Sequence, residues 1–197
     1  MKRIAIFASG AGTNAENIIQ ASVRVNRDGG KKASYEVALI VCNNSKAGVL
    51  NIAGNYNIPV FLIKKERFYQ DAYLPELQKA GIDFIVLAGF LWKIPQLLIN
   101  AFPHRIVNIH PALLPKYGGK EMYGKNVHAA VLHNNETVSG ITIHYVDEHY
   151  DNGDIIFQKE CEVKEDDTPE TLAKRIHELE YKYYPRIIEN ALQSFYF

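Results

Sequence analysis

Asn108 and His110 stand two residues apart in the run Ile106-Val107-Asn108-Ile109-His110. Alternate side chains of an extended strand share a face, so the amide and the imidazole point the same way. That pairing suits acyl transfer. An amide can donate to a developing oxyanion, and an imidazole can move a proton or stabilise charge. Taken alone, a polar strand end with a structural histidine explains the pair equally well. A carboxylate beside His110 would favour its charged form and raise its pKa. The stretch Asp147-Glu148-His149-Tyr150-Asp151-Asn152-Gly153-Asp154 offers four acids, and spacing does not choose among them. Turn capping accounts for each aspartate as well.

A second constellation is Ser9-Gly10-Ala11-Gly12-Thr13-Asn14, between an apolar run and a helical pattern. Glycines allow close backbone approach to an anion, and a helix start offers free N–H groups, so a phosphate site is expected here. A tight strand–helix turn is the bland alternative. A nicotinamide dinucleotide site fits poorly. The third glycine of that fingerprint is missing, and Cys42-Asn43-Asn44 stands where an acid should end the second strand. No Gly-Lys-Ser/Thr triphosphate loop is present.

The elements that must carry these residues follow from periodicity. Lys2 to Ala8, Tyr35 to Cys42, Pro59 to Ile63, Asp83 to Leu87 and Ile106 to Ile109 read as strands. Helices are expected after Asn14 (inner face Ile18, Ile19 and Val23), over Ala47 to Tyr56, and over Phe68 to Ala80 despite Pro75. Strands apolar on both faces, alternating with helices, predict an α/β fold with a Rossmann-like parallel sheet flanked by helices. Beyond Pro111 the rhythm changes. Pro115 to Gly124 reads as a loop, Asn126 to His133 as a helix, and Val138 to Val146 and Ile155 to Val163 as neighbouring strands, mixed or antiparallel. Thr168 and Pro169 open a last helix running to Ala191. Ligands of such sheets bind beyond the carboxyl ends of the parallel strands. Both constellations fall there, as does Gly89 to Lys93.

Composition bounds the class. The chain has 197 residues, 47% hydrophobic, with 22 basic and 22 acidic side chains. That length suits one compact domain. The balanced charge predicts no nucleic-acid or membrane partner. Cys42 and Cys161 lie in apolar runs and are expected as buried reduced thiols. Neither has a CxxC partner, so no metal is expected. The apolar start ends at Gly10, too soon for a signal peptide or a membrane span, and the expected compartment is cytoplasmic.

The segment Asn108-Ile109-His110-Pro111-Ala112-Leu113-Leu114-Pro115 closely resembles the signature of folate-dependent formyltransferases. Leu87 to Ile94 and Asp147 to Gln158 resemble two further segments of that family, and Ser9 to Asn14 resembles the glycinamide ribonucleotide branch. The resemblance spans essentially the whole chain in the right order. It implies a single formyltransferase domain over 1–197. Residues 1–104 would form the ribonucleotide phosphate-binding half, and residues 105–197, with the mixed C-terminal extension of the sheet, the catalytic and folate-binding half. The implied catalytic trio is Asn108, His110 and Asp151. Gly12, Thr13 and Asn14 would grip the ribonucleotide phosphate, and Glu180, five residues before Pro185, the ribose. Phe90, Leu91, Trp92, Lys93 and Ile94, with Asn108 and the turn from Asp147, would face the folate. His128 matches a family histidine near the substrate.

The implied activity is transfer of formyl from 10-formyltetrahydrofolate to glycinamide ribonucleotide in purine biosynthesis, without a metal, by a monomer or homodimer. Trp92-Lys93 departs from the family's Met/Arg-type pair, and Asn152 and Asp154 replace a glycine and a proline. Tyr117 to Gly124 is longer than in compact members and is expected to be a lid or a decoration. Two related activities fit less well. The initiator-tRNA formyltransferase needs an RNA-binding domain, and formyltetrahydrofolate hydrolase an N-terminal regulatory domain, for which Met1 leaves no expected room. A non-catalytic nucleotide sensor on the same fold is disfavoured because Asn108, His110 and Asp151 are retained together.

Overall fold

A computed structural model of the protein describes residues 1–23 and 34–194. The elements run β1 (Lys2–Ala8), α1 (Thr13–Val23), β2 (Tyr35–Cys42), α2 (Val49–Asn55), β3 (Val60–Leu62), α3 (Lys65–Gln70), α4 (Leu74–Lys79), β4 (Phe84–Leu87), α5 (Gln96–Ala101), β5 (Ile106–His110), α6 (Lys125–His133), β6 (Val138–Tyr145), β7 (Ile155–Glu162) and α7 (Pro169–Gln193). They form one seven-stranded sheet in the order β3-β2-β1-β4-β5-β6-β7. The first five of these pair in parallel. β6 and β7 extend the sheet antiparallel from β5.

The chain proceeds outward from β1 to β3, then crosses to the other side of β1 to lay down β4 and β5. The resulting switch point lies between β1 and β4, where an open α/β sheet leaves its ligand crevice. The loops leaving these two strands are tied together. Ser9 N donates to the Gly89 carbonyl at 3.1 Å, and Leu91 N donates to Ser9 Oγ at 3.0 Å.

Period-two alternation on the strands builds two cores. Ile4, Ile6 and Ala8 face one with α1 and α7, while Ala5 and Phe7 face the other with α3 to α5. Each fully buried Ile contributes about 1.5–3 kcal/mol relative to exposure. In α7, Leu172, Ile176, Glu180, Tyr184, Ile188 and Leu192 are all buried, so a row at every fourth residue faces the sheet with one acid in its middle. Thr168 caps this helix reciprocally with Thr171. Pro185 has no N–H to offer the carbonyl one turn back. That carbonyl, on Tyr181, accepts instead from Asn17 Nδ2 at 2.7 Å, which ties α7 to α1.

Four expectations need correction. The helix expected from Phe68 to Ala80 is two short helices, broken at Ala72 and Tyr73, both at positive φ. Pro75 thereby falls in the first turn of α4, where its missing N–H costs nothing. A short helix, α5, occupies a stretch with no expected element. Val23 is 62% exposed and is not part of the inner face of α1. Cys42 is buried as expected, but Cys161 is only half-buried, because β7 is an edge strand.

Candidate active site

The β5 end carries Asn108 and His110, and β6 pairs with it so that Asn108 lies opposite His144 and His110 opposite Thr142. The turn after β6 folds back and brings Asp151 onto the same face. Asp151 Oδ1 accepts from Asn108 Nδ2 at 3.3 Å, and Oδ2 lies 3.5 Å from His110 Nδ1. Its backbone is left-handed, φ 52, a conformation that Asp tolerates better than most residues. Of the four acids in the turn, Asp151 meets the imidazole. Asp147 holds the turn itself, with one oxygen accepting from His149 N and the other from Asn152 Nδ2, both at 2.8 Å.

Two further residues complete this cluster, and periodicity could have flagged the first. His144 Nδ1 lies 2.7 Å from the Tyr145 carbonyl, so that nitrogen carries the hydrogen. Its Nε2 lies 3.2 Å from Asn108 Nδ2 and 3.7 Å from Asp151 Oδ1. The alternation of Thr142 and His144 with buried isoleucines on β6 was the signal. The second is Tyr117. Its carbonyl sits 2.7 Å from His110 Nε2, which must therefore be the protonated nitrogen of the neutral ring. Gly119 N donates to Asp151 Oδ2 at 2.9 Å. The loop after Pro115 thus closes over the trio, leaving His110 3% exposed. Tyr117 is held in turn by its hydroxyl, which donates to Glu136 at 2.9 Å and accepts from Asn134 Nδ2 at 3.1 Å.

The electrostatics differ from expectation in one respect. Asp151 does act to raise the pKa of His110, but burial outweighs it and the net shift is downward. The ring is therefore neutral at neutral pH, with Nδ1 free to take a proton against a carboxylate. Burial pushes Asp151 upward, yet His144, His110 and the Gly119 amide together hold its carboxyl below the usual range. An ionised acid beside a neutral imidazole is suited to receive and stabilise a proton during acyl transfer.

Gly12, Thr13 and Asn14 lie at the start of α1, whose first amides have no intrahelical acceptor until Glu16 N bonds the Gly12 carbonyl at 2.8 Å. Gly12 has φ +85, and a Cβ on it would lie 2.7 Å from the Val49 Cβ. That glycine is required for packing against α2 as well as for any anion. Asn14 Nδ2 donates to Glu180 Oε2 at 2.8 Å, across from α7. Asn14 Oδ1 and His128 Nδ1, both buried, have no protein partner among the described residues.

The stretch from Phe90 to Ile94 divides in two. Phe90 and Trp92 turn inward, with ring centroids 5.7 Å and 5.8 Å from Phe68, and Ile94 is buried. Leu91 and Lys93 are exposed. A cleft of about 530 Å³ is lined by Tyr69, Lys93, Ile94 and His149. A second, of about 660 Å³, is lined by Asn100, His104, Tyr145 and Asp147. Neither reaches Asn108, His110 or Asp151, which lie beneath the Tyr117–Gly119 segment. Among the described residues, no group of three or more His, Cys, Asp or Glu could hold a metal ion, and no helix is long and apolar enough to cross a membrane.

Residues 2–188 match the model of the formyl transferase family. The chain is 42% identical over 193 residues to the chloroplastic phosphoribosylglycinamide formyltransferase of Arabidopsis thaliana, covering 95% of this chain and 64% of the plant protein. It is 38% identical over 197 residues to the phosphoribosylglycinamide formyltransferase of Bacillus subtilis, covering 98% and 95% of the two chains. The crystal structure of phosphoribosylglycinamide formyltransferase from Bacillus halodurans superposes with a TM-score of 0.84 at 38% identity, over 97% of this chain and 95% of that one. The chain therefore spans less than two thirds of the plant relative and nearly all of the bacterial ones, and it belongs to the formyl transferase family, in the branch of the phosphoribosylglycinamide formyltransferases.

Proposed function

We propose that the protein transfers the formyl group of 10-formyltetrahydrofolate to the amine of glycinamide ribonucleotide in purine biosynthesis. One observation carries the reading. An amide, an imidazole and an ionised carboxylate from two distant segments meet at the carboxyl end of β5, in a chain of this family. The substrate amine attacks the formyl carbon, and negative charge develops on the former carbonyl oxygen. Asn108 and His110 stabilise that charge. Once the Tyr117 carbonyl is released, the ring hydrogen sits on Nδ1 beside the Asp151 carboxylate, so that Nε2 takes the proton of the attacking amine and passes it to folate N10 as the bond from the formyl carbon to N10 breaks and tetrahydrofolate leaves.

For substrate to reach His110, the Tyr117 carbonyl must give up its hydrogen bond at Nε2, and the Asn108 amide must turn from Asp151 and His144. Gly12, Thr13 and Asn14 take the phosphate at the start of α1, and Glu180 takes the ribose. Phe90, Leu91, Trp92, Lys93 and Ile94, with Asn108 and the turn at Asp147, bound the folate. The aromatic members act by supporting the loop, and Leu91 and Lys93 by contact. One domain thus divides into a ribonucleotide-phosphate half at 1–104 and a catalytic, folate-binding half at 105–197. The partners are these small molecules. The enzyme is cytoplasmic, and a monomer or homodimer.

Incubation with 10-formyltetrahydrofolate and glycinamide ribonucleotide tests the whole reading. Ribonucleotide-dependent loss of the formyl group to the amine supports it. Hydrolysis to formate at the same rate without ribonucleotide would refute it.

A further inference from the structure

The one acid in the buried row of α7 is held from two sides. Glu180 Oε2 accepts from Asn14 Nδ2 of α1 at 2.8 Å and lies 2.8 Å from His177 Nδ1, one turn earlier on α7. Both contacts fall on the same oxygen. Oε1 keeps its lone pairs, with no hydrogen bond from any described residue. The side chain of Glu180 is 5% exposed and that of His177 is 47% exposed, so the histidine forms the rim and the carboxylate the floor. The His177 ring lies nearly parallel to Tyr181, at 11° and 6.1 Å, which fixes its plane. Two buried polar atoms with no partner among the described residues come from neighbouring elements, Asn14 Oδ1 and His128 Nδ1. Glu180 Oε1 and Asn14 Oδ1 are both acceptors, so the complementary ligand group is one that donates, such as neighbouring hydroxyls.

We propose that His177 is a positioning residue of the sugar site. By pinning Glu180 Oε2 together with Asn14, it fixes Oε1 as the acceptor for the hydroxyls of the ribonucleotide. The inference rests on the reading of Glu180 as the ribose acid. His177 has the chemistry for a pH-dependent role. The Glu180 hydrogen bond raises its pKa, against partial burial. The other titratable groups that act on this pair are His128 of α6 and His110 of β5, both shifted downward by burial, and Tyr184 of α7, whose phenol is buried. Burial keeps the other two histidines neutral where His177 is charged, so His177 is the group that titrates against Glu180. The protonated ring donates firmly and balances the buried carboxylate. The neutral ring still donates from Nδ1 but brings no charge.

Steady-state kinetics on His177→Leu, His177→Gln and Glu180→Gln test this, with glycinamide ribonucleotide as the varied substrate. The expected result for His177→Leu is a rise in KM of about tenfold, the loss of one charge-assisted hydrogen bond, with kcat within about threefold. His177→Gln keeps a neutral donor and should recover most of that loss. In the wild type, KM should rise with pH as His177 deprotonates, and this rise should vanish in both His177 variants. An unchanged KM in His177→Leu, or a wild-type rise that persists in it, overturns the inference. A loss confined to melting temperature does the same. Glu180→Gln separates the two layers. If it leaves KM unchanged, the ribose reading fails; if it raises KM while His177→Leu does not, only the role of His177 fails. NMR titration of the wild-type His177 ring provides a readout independent of variants: added ribonucleotide should move its midpoint, and an unmoved midpoint counts against the proposal.

Discussion

Replacing Asp151 by Asn changes one atom and one charge at the centre of the cluster. Both oxygens of Asp151 face donors: Asn108 Nδ2 at Oδ1, and Gly119 N at Oδ2. An amide supplies only one oxygen, so its NH2 must oppose one of these donors. The side chain is 10% exposed, so water cannot easily relieve the conflict. One unsatisfied buried donor costs about 1–3 kcal/mol. At about 2–4 °C per kcal/mol for a chain of this size, Tm should fall by roughly 2–12 °C. The kinetic loss should be larger. Without the carboxylate, the proton taken up by His110 has no counter-charge, and kcat should fall by about 100-fold or more, within the range of general acid–base catalysis.

His110→Ala should lose a similar amount, and the double variant should be little worse than the poorer single, because the groups act as one unit. The pH dependence has a definite sign. The Asp151 carboxyl is held below its ordinary 3.8 in the fold, so its contribution to stability is present above that pH and is lost as pH falls through the folded value. The gap in Tm between wild type and Asp151→Asn should hold from neutrality to about pH 4 and then close. Melting curves across pH, with steady-state rates on the two singles and the double, measure all of this. Multiplicative rate losses, or a folded Asp151→Asn enzyme with near-normal turnover, would refute the assignment.

His110, lowered by burial, should remain neutral as pH falls past 6.5, so the acid limb of kcat/KM should lie below that value; a limb above it contradicts the burial argument. Gly12→Ala should lower stability by at least about 1 kcal/mol, because the position has φ +85 and the new Cβ would press on Val49. Gly10→Ala, which meets nothing within 4 Å, should leave Tm unchanged. Equal melting shifts for the two would undo the packing explanation. Thr168→Ala removes the α7 cap and should cost about 1 kcal/mol, or roughly 2–4 °C, with kcat unaltered; a large kinetic effect would mean that the cap does more than start the helix.

Strand and helix positions were readable because their signals are local. β1 and β2 fall on the expected residues, since short β-branched-rich apolar runs closed by turn residues favour a buried strand over a helix. The shared face of Asn108 and His110 is local in the same way. A local pattern failed at Pro75, where the run of helical residues hid a break that only packing at Ala72 and Tyr73 imposed. The motif resemblance marked Asp151, which the spacing of the four acids did not. The partners of Asn108 and His110 are a different kind of fact. Tyr117 comes from a loop with no periodicity, and His144 and Asp151 lie 36 and 43 residues beyond Asn108. Their meeting depends on β6 pairing antiparallel to β5 in one register and on the turn after it folding back. The pKa of His110 departs from the direction its charged neighbour implies for the same reason. The sequence names its charged neighbour, but how much water is excluded around the ring depends on every segment that closes over it, and here that exclusion outweighs the charge.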